Sequence, residues 1–338
     1  MRSGGHRVRR ALTGVLLGAM LLAGACTSDD PPLTIYSGRE EELMDALLER
    51  FADRSDVDLE VRYGDSTDLA LLIAEEGENS PADVFLSQSP GSVGFLDGQG
   101  LLSALPEAEL SRVRTGFRAD DGRWVGLTAR QRVLVYNPDL VSQDELPESV
   151  FDLTQPRYRG RVALAPTNAS FQDFVTAMRA VEGEDAARAW LEGMVANESP
   201  TYADNLSIVD AVAREEVPMG LVNHYYNYRY AAENPGARSR NYVFPGDDIG
   251  ALLIASTVSV LETADDQDLA RRFVDFLLSE DAASYFSEET FEYPLVRGVD
   301  PSPELPEFSS LEAPDFELSR LGGGLRETTR LISDTGLL

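Results

Sequence analysis

The sequence VPMGLVNHYYNYRY occupies residues 217–230 and joins a short apolar run to an aromatic, polar segment. The run over residues 217–222 has the length of a β-strand, and Tyr225 and Tyr226 follow it side by side. Because adjacent residues of a strand point to opposite faces, both tyrosines can reach one ligand only if the backbone leaves the strand there and begins a helix. Ligands bind at such strand ends in open α/β sheets. The stretch therefore predicts a ligand site, and two amphipathic rings packed at the rim of a sheet are the alternative.

Patterns typical of strands and helices alternate on both sides of this stretch. Residues 40–53, for example, place five large apolar side chains at helical spacing. Such alternation predicts βαβ units and a largely parallel sheet. The predicted strands cover residues 33–36, 58–63, 81–86, 161–164 and 217–222, and the predicted helices cover residues 40–53, 66–76, 171–181, 186–194 and 266–279, before a proline-broken and then helical tail over 301–338.

Two lobes are predicted because 338 residues exceed one typical domain. Two further apolar segments are predicted to connect these lobes. Residues 124–136 carry two apolar pieces around the polar sequence TARQ, which we interpret as a crossing between the lobes. Residues 248–259 are interpreted as the return to the first lobe. The resulting prediction is an N-lobe of residues 33–129 plus about 255–305 and a C-lobe of residues 130–254 plus about 306–338.

The composition excludes several classes of function. Acidic residues outnumber basic residues 58 to 29, so nucleic acid is not an expected partner. All of the basic residues are arginine, which excludes Schiff-base lysines and P-loop lysines. The hydrophobic fraction of 43% is sufficient for real cores.

The N-terminus predicts where the protein resides. Four arginines lie within residues 2–10, and residues 11–25 form an apolar stretch of signal-peptide length that is too short for a comfortable membrane span. The stretch ends at Cys26, the only cysteine. This arrangement resembles a lipoprotein signal, in which residues 1–25 are removed and Cys26 becomes the lipid-modified first residue, followed by a tether over 26–32. The expected location is extracytoplasmic and lipid-anchored; the alternative is an ordinary cleaved signal followed by a free thiol.

The scarcity of histidine and cysteine restricts the chemistry of any metal site. The chain has two histidines, His6 and His224, of which His6 falls in the signal peptide. A Ser-His-Asp triad would need His224, and no G-x-S-x-G elbow accompanies it. Zinc sites built from histidine and cysteine are excluded by counting, so a metal would be held mainly by oxygen ligands. Tyrosine has a pKa of about 10, and a trivalent ion can displace its proton. Tyr225 and Tyr226 therefore favour ferric iron over calcium or magnesium.

Five short motifs occur in order along the chain. They are YSGR (36–39), SPADVF (80–85), RQRVLVY (130–136), APTN (165–168) and NHYY (223–226). Together they resemble the ferric-ion-binding periplasmic proteins of ABC importers, the bacterial "transferrins". The resemblance runs from about Leu33 to near the C-terminus. It implies a two-lobed α/β periplasmic-binding-protein fold of type II, with each lobe a mostly parallel sheet flanked by helices. It also implies a monomer that performs no reaction, closes on Fe(III) with a synergistic anion and delivers the iron to an ABC permease.

The resemblance also implies a set of site residues. Tyr225 and Tyr226 match the paired phenolate ligands of the family. The positions that hold the anion, carbonate or phosphate, correspond to Asn168, Ala169, Ser170, Asn205 and Asn223. Helix N-terminal amides after Asn168 would also serve an anion on physical grounds. Arg39 or Arg130 would balance the charge of this anion, and the alternative for each arginine is an ordinary salt bridge.

Two positions depart from the family pattern. Glu40 stands where some relatives have a histidine ligand, and Gln88 stands where they have a glutamate ligand. Glu40 is a candidate replacement ligand or a solvated glutamate in the first turn of a helix. Gln88 is a poor iron ligand and is expected to act as a hydrogen-bond partner. Another branch of the family has a tyrosine near Phe171 that is missing here.

These departures leave two other functions open. The first is the binding of a different small solute, such as a phosphonate or a polyamine, in the same fold, with the tyrosines as cleft walls. The second, from a different class, is a metal-dependent hydrolase, which the absence of lysine and of a histidine or cysteine cluster disfavours.

Overall fold

The central element of the fold is one long strand, β4 (Val125–Tyr136), in which every residue is buried. A computed structural model describes residues 31–338, so the predicted signal peptide, Cys26 and the tether up to residue 30 lie outside the described residues. The sequence predicted two apolar pieces at residues 124–136, and the structure has a single strand there. Its polar centre is accommodated because those side chains form hydrogen bonds and ion pairs inside the protein, as buried polar groups must.

The sheet has the order β2-β1-β3-β8-β4-β6-β5, with β7 and β9 also paired to β4. The first half of β4 pairs with β8, and its second half pairs with β6, so β4 belongs to both halves of the sheet. The remaining strands are β1 (Leu33–Ser37), β2 (Leu59–Tyr63), β3 (Val84–Ser87), β5 (Val162–Ala163), β6 (Met219–Asn223), β7 (Arg240–Tyr242), β8 (Leu253–Val260) and β9 (Tyr293–Pro294).

Strand pairing is parallel only in the outer parts of the sheet. Strand β1 pairs in parallel with β2 and β3, and β5 pairs in parallel with β6. All pairings of β4 and β8 are antiparallel. The prediction of an α/β sheet is confirmed, but its parallel character is limited to the strands that helices connect, because β4 and β8 run in opposite directions through the centre.

All five helices predicted from the apolar periodicity are present, whereas α4, α7 and α10 were not predicted. Helix α1 buries the five apolar residues that predicted it, and Trp190 lies in the core. Helix α3 was not predicted, because its opening Ser-Pro-Gly sequence is typical of a turn. The helices are α1 (Glu41–Ser55), α2 (Ser66–Glu76), α3 (Pro90–Asp97), α4 (Glu107–Leu110), α5 (Ala169–Glu182), α6 (Glu184–Ala196), α7 (Asn205–Ala213), α8 (His224–Glu233), α9 (Gln267–Leu277), α10 (Glu280–Glu288) and α11 (Leu325–Asp334).

Residues 31–338 pack as one unit, and the residue boundaries proposed for the two lobes stay a prediction. Strands β1–β3 with helices α1–α3 lie on one side of β4 and β8, and strands β5 and β6 with helices α5–α8 lie on the other. Within residues 31–338, none of the helices combines the length and the apolar character that a membrane span requires.

Candidate metal and anion site

The tyrosine pair lies at the junction that the sequence predicted. Strand β6 ends at Asn223, and α8 begins at His224. This change from strand to helix brings neighbouring side chains to one side of the backbone. The rings of Tyr225 and Tyr226 stack with their centroids 4.1 Å apart and an interplanar angle of 30°. They are 0% and 2% exposed, respectively, and Tyr226 lines a cleft. The two rings therefore face one location beside an opening.

Glu40 reaches the tyrosine pair from the opposite side of the cleft. It is the N-cap residue of α1 and also lines the cleft. The hydroxyl of Tyr226 donates a hydrogen bond to Oε1 of Glu40 at 3.1 Å. Arg229 approaches Oε2 of Glu40 at 3.5 Å. The structure thus brings Glu40 together with the two tyrosines, although its first-turn position alone would be compatible with a solvated side chain.

Burial controls the protonation of the two phenols. It raises the pKa of Tyr225, and it raises the pKa of Tyr226 well above its ordinary value, with the nearby Glu40 carboxylate acting in the same direction. The hydroxyl of Tyr225 is buried next to that of Tyr226 without a hydrogen bond of normal geometry. Without a metal, both groups stay protonated at neutral pH. A strongly Lewis-acidic ion would be needed to ionise them.

Arg39 and Arg130, the two predicted partners of an anion, lie in a buried network around Glu292. Nη2 of Arg39 is 2.5 Å from Oε2 of Glu292, and Nη1 of Arg39 donates to Oε1 at 3.3 Å. Nε of Arg130 lies 3.9 Å from the same carboxylate. Burial alone would raise the pKa of Glu292, but Arg39 and then Arg130 lower it. For Arg39 the salt-bridge alternative is therefore the one observed.

Gln88 forms hydrogen bonds with Arg130, and such a role was expected from the sequence. Its side-chain oxygen accepts a hydrogen bond from Nη1 of Arg130 at 2.9 Å, and its backbone carbonyl accepts one from Nη2. Arg130 also donates to the carbonyl of Ala255 at 3.1 Å. Gln88 lines the same cleft as Glu40 and Tyr226. Arg130 is thus held at the edge of the cleft by neutral oxygens.

The predicted anion-binding residues gather around a different arginine, Arg132. Its Nη1 donates to Oδ1 of Asn223 at 3.2 Å and lies 3.5 Å from both Oγ of Ser170 and Oδ1 of Asn205. Asn168 joins the group because its Oδ1 accepts from the hydroxyl and the backbone N–H of Ser170 and from Asn205. We call these five residues the Arg132 cluster.

Arg132 carries a buried charge that the cluster does not neutralise. It is 2% exposed, and its Nη2 has no hydrogen-bond partner among the described residues. Burial, together with repulsion from Arg130, lowers the pKa of Arg132 to about 9. Sequence reasoning missed this residue. Alternation along β4 could have indicated it, because residues 130 and 132 share one face of a strand.

Helix N-termini line the same cleft. Asp65, Asn168 and Asp204 are the N-cap residues of α2, α5 and α7, and each contributes to the lining. Ala169, a predicted anion-binding residue, is the first residue of α5 and also lines the cleft. Helix N-termini favour negative charge and present unpaired N–H groups. The cleft has a volume of about 910 Å³.

The contacts of the buried His224 are those of a residue that stabilises the fold. Its Nδ1 accepts a hydrogen bond from the backbone N–H of Gln131 at 3.1 Å, and its ring stacks on Tyr293 with centroids 4.8 Å apart. Burial lowers the pKa of His224 to about 4, so the ring is neutral. Across residues 31–338, no group of three His, Cys, Asp or Glu side chains is placed to hold a metal ion. A metal in this cleft would therefore depend on tyrosine ligands.

The chain is similar to known proteins over most of its length. Residues 79–317 match the family model described as bacterial extracellular solute-binding protein. The chain is 32% identical to the Fe(3+)-binding periplasmic protein of Serratia marcescens, with 96% of each chain covered. It is 31% identical to the major ferric iron-binding protein of Neisseria meningitidis, over 94% of this chain and 97% of that one.

The chain is also similar to a solved structure. Iron-bound HitA from Pseudomonas aeruginosa superposes with a TM-score of 0.87 at 34% identity, over 90% of this chain and 100% of that chain. The likeness confirms the two-lobed α/β fold class predicted from the sequence.

Proposed function

The chain belongs to the family of bacterial extracellular solute-binding proteins, and from this premise we propose that it captures ferric iron in its cleft and delivers it to an ABC importer. Members of this family are carriers and not enzymes, so no reaction is assigned to the site. The names of the Serratia and Neisseria relatives, both of which specify ferric iron, support the choice of cargo.

The observation that carries this proposal is the meeting of Tyr225, Tyr226 and Glu40. Two of these oxygen donors lie 3.1 Å apart, and the third is buried beside them. We assign all three as iron ligands. Two phenolates and one carboxylate carry three negative charges, which neutralise Fe³⁺. A divalent ion would leave a net negative charge in a buried site and would be less able to displace the raised-pKa phenol protons.

A synergistic anion, carbonate or phosphate, is assigned to the Arg132 cluster together with the first amides of α5. Arg132 supplies a cation without a neutralising partner, and the asparagine and serine side chains supply hydrogen-bonding groups. Arg39 is not assigned to the anion, because Glu292 already pairs with it. Arg130 and Gln88 are assigned to the wall of the cleft.

The proposal also places the protein outside the cytoplasm as a monomer that is tethered by lipid on Cys26 and docks on an ABC permease. The Serratia relative is described as a periplasmic protein, and the matching family model as an extracellular one. The arginines of residues 2–10 and the apolar run before Cys26 support export and lipidation. Labelled palmitate incorporation by the full-length chain, lost in Cys26→Ser, tests the anchor.

A spectroscopic titration tests the iron site. Phenolate-to-iron charge transfer produces a red-orange colour, so purified protein should become coloured with ferric citrate. The Tyr225→Phe, Tyr226→Phe double variant should stay pale, and Tyr228→Phe, a change on the same helix, should colour normally. A double variant that colours like the wild type would place the iron elsewhere.

The size of the cleft supports a second candidate, an organic anion such as a phosphonate. Small-molecule sites occupy about 300–1,000 Å³, and 910 Å³ falls within this range. The uncompensated charge of Arg132 disfavours a polyamine at this end of the cleft. Calorimetric binding of a phosphonate by iron-free protein, with no effect of ferric iron, would favour this candidate.

A further inference from the structure

Helix α5 is joined to the opposite half of the molecule through two neighbouring residues, Gln172 and Asp173. The hydroxyl of Thr67, in α2, donates a hydrogen bond to Oε1 of Gln172 at 3.0 Å. Oδ1 of Asp173 accepts hydrogen bonds from the hydroxyl of Ser89 at 2.8 Å and from the backbone N–H of Gly91, in α3, at 3.2 Å. Helices α2 and α3 accompany strands β1–β3, whereas α5 accompanies β5 and β6. These hydrogen bonds therefore connect the two sides of the cleft.

The two contacts differ in their position relative to the cleft. Ser89 and Asp173 are 0% and 1% exposed, and neither is among the described residues that line the cleft. The backbone of Gly91 comes so close that a Cβ atom there would lie 2.5 Å from Oδ1 of Asp173. Thr67 and Gln172, by contrast, both line the cleft. The contact of Asp173 thus lies behind the cleft wall, and the contact of Thr67 with Gln172 borders the opening.

Both partners of the contact at the opening are held in the orientation that it needs. Nε2 of Gln172 donates a hydrogen bond to the backbone carbonyl of Thr167 at 3.2 Å. A carbonyl only accepts hydrogen bonds, so the amide oxygen of Gln172 has to face the other way, towards Thr67. The backbone N–H of Thr67 is bound at 2.8 Å by the side chain of Asp65, the N-cap residue of α2. Groups that are already ordered lose little conformational entropy when they pair.

The proposed iron and anion sites use neither Thr67 nor Gln172. A separate contact across the cleft joins Tyr226 to Glu40, but those oxygens are assigned to iron. The pair of Thr67 and Gln172 is neutral, and water can replace each partner when the helices separate. One neutral hydrogen bond shifts an equilibrium between a closed and an open form by about two- to tenfold. This strength suits a contact that breaks each time the cargo leaves.

We propose that the hydrogen bond between Thr67 and Gln172 is a latch that keeps the cleft closed on its cargo and slows release, with the contact of Asp173 behind it as the pivot. This inference rests on the proposed function for the identity of the cargo. Opening separates α2 from α5 at the latch, so the latch sets the lifetime of the loaded form and leaves the coordination of the iron unchanged.

A double-mutant cycle on the rate of iron release tests the latch. Thr67→Val keeps the shape of the side chain and removes the hydroxyl, and Gln172→Leu removes the acceptor. Iron-loaded protein is mixed with excess EDTA, and the decay of the charge-transfer band gives the rate. Each single variant should show an unshifted band and release iron about three- to tenfold faster than the wild type. The double variant should be no faster than the faster single variant, because both changes remove the same hydrogen bond.

Thr329→Val is the matched control. Thr329 lines the same cleft from α11, and its hydroxyl donates within that helix to the carbonyl of Leu325 at 2.9 Å. This variant should release iron at the wild-type rate. If Gln172→Leu fails to fold, the rate of Thr67→Val alone decides the test.

Small-angle X-ray scattering of the iron-free protein gives a second measurement, in which the latch variants should have a larger radius of gyration than the wild type and the control. Wild-type release rates in the latch variants, or effects that multiply in the double variant, overturn this inference and leave the proposed function intact. A wild type without a charge-transfer band overturns the proposed function. The scattering then decides the latch by itself, and equal radii of gyration overturn it.

Discussion

Two buried arginine regions lie next to each other on β4, and they differ in how their charge is neutralised. Arg39 and Arg130 surround the carboxylate of Glu292, which also accepts hydrogen bonds from Thr128 and Thr290. Arg132, two residues along the strand, donates hydrogen bonds only to neutral oxygens of the Arg132 cluster, lies over the ring of Phe174 and keeps one nitrogen without a partner among the described residues. The residues of both regions are buried, except that Asn168 is half-buried and lines the cleft.

This difference separates a structural network from a ligand site. The ion pair of Arg39 and Glu292 is balanced in charge and is complete without any other molecule. Arg130 lies at the edge of this pair, is held by oxygens of Gln88 and Ala255, and also has a nitrogen, Nε, without a hydrogen-bond partner among the described residues. A buried cation whose hydrogen bonds go only to amide and hydroxyl oxygens is costly, and the cost is reduced when an anion binds. The residues around Glu292 therefore stabilise the fold. The Arg132 cluster is where a negatively charged ligand is expected to bind.

The largest predicted effect comes from neutralising Glu292. Glu292→Gln leaves Arg39 and Arg130 buried without a counter-charge and should lower the free energy of unfolding by about 3–5 kcal/mol. Denaturant unfolding measures the change. Glu288→Gln, an exposed change on the neighbouring helix, should stay within about 0.5 kcal/mol of the wild type. Equal stability of Glu292→Gln and the control would mean that the ion pairs of Glu292 do not stabilise the fold.

An intermediate effect is predicted at Asp173, a carboxylate close to Arg132. Its Oδ1 accepts from the hydroxyl of Ser89 and the N–H of Gly91, and its Oδ2 has no partner. Burial raises the pKa of Asp173 to about 7. The folded protein thus keeps a proton that the unfolded chain releases, and stability falls as the pH rises from about 4 to about 7.

Asp173→Asn removes this pH-dependent loss. The stability of the variant relative to the wild type should therefore increase between pH 5 and pH 8, by about 2–3 kcal/mol. Thermal or urea unfolding at both pH values gives the difference, and the exposed change Asp185→Asn is the control. A relative stability that does not change with pH would mean that Asp173 is ionised throughout and contributes to neutralising Arg132, which would weaken the contrast between the two regions.

The smallest predicted effect on stability is at Arg132. Arg132→Met loses hydrogen bonds to the cluster but also removes an uncompensated buried charge, so the free energy of unfolding should change by less than about 1 kcal/mol. The same change should abolish any effect of phosphate on the affinity for iron, because it removes the cation assigned to the anion. A loss of stability as large as that of Glu292→Gln would show that Arg132 is structural as well.

The sequence predicted the junction of β6 and α8 because its polarity changes abruptly at Asn223, and local patterns of this kind determine where an element ends. It did not distinguish the roles of the arginines on β4. That distinction depends on Glu292, which lies more than 150 residues away from Arg130 along the chain and carries no local signal. Helix α3 was missed although its signal is local. Pro90 and Gly91 are typical of a turn, but here Ser89 caps a helix whose first residue is the proline.

In the proposed iron site, Tyr225 and Tyr226 bind one ferric ion as phenolates. Resonance Raman spectroscopy of the iron-loaded protein, excited in the visible charge-transfer band, tests it most directly because only ligands bonded to the metal are enhanced. We expect strong tyrosinate ring modes in the wild type, weaker modes in either single phenylalanine variant and none in the double variant. Iron-loaded wild-type protein without tyrosinate modes would contradict it.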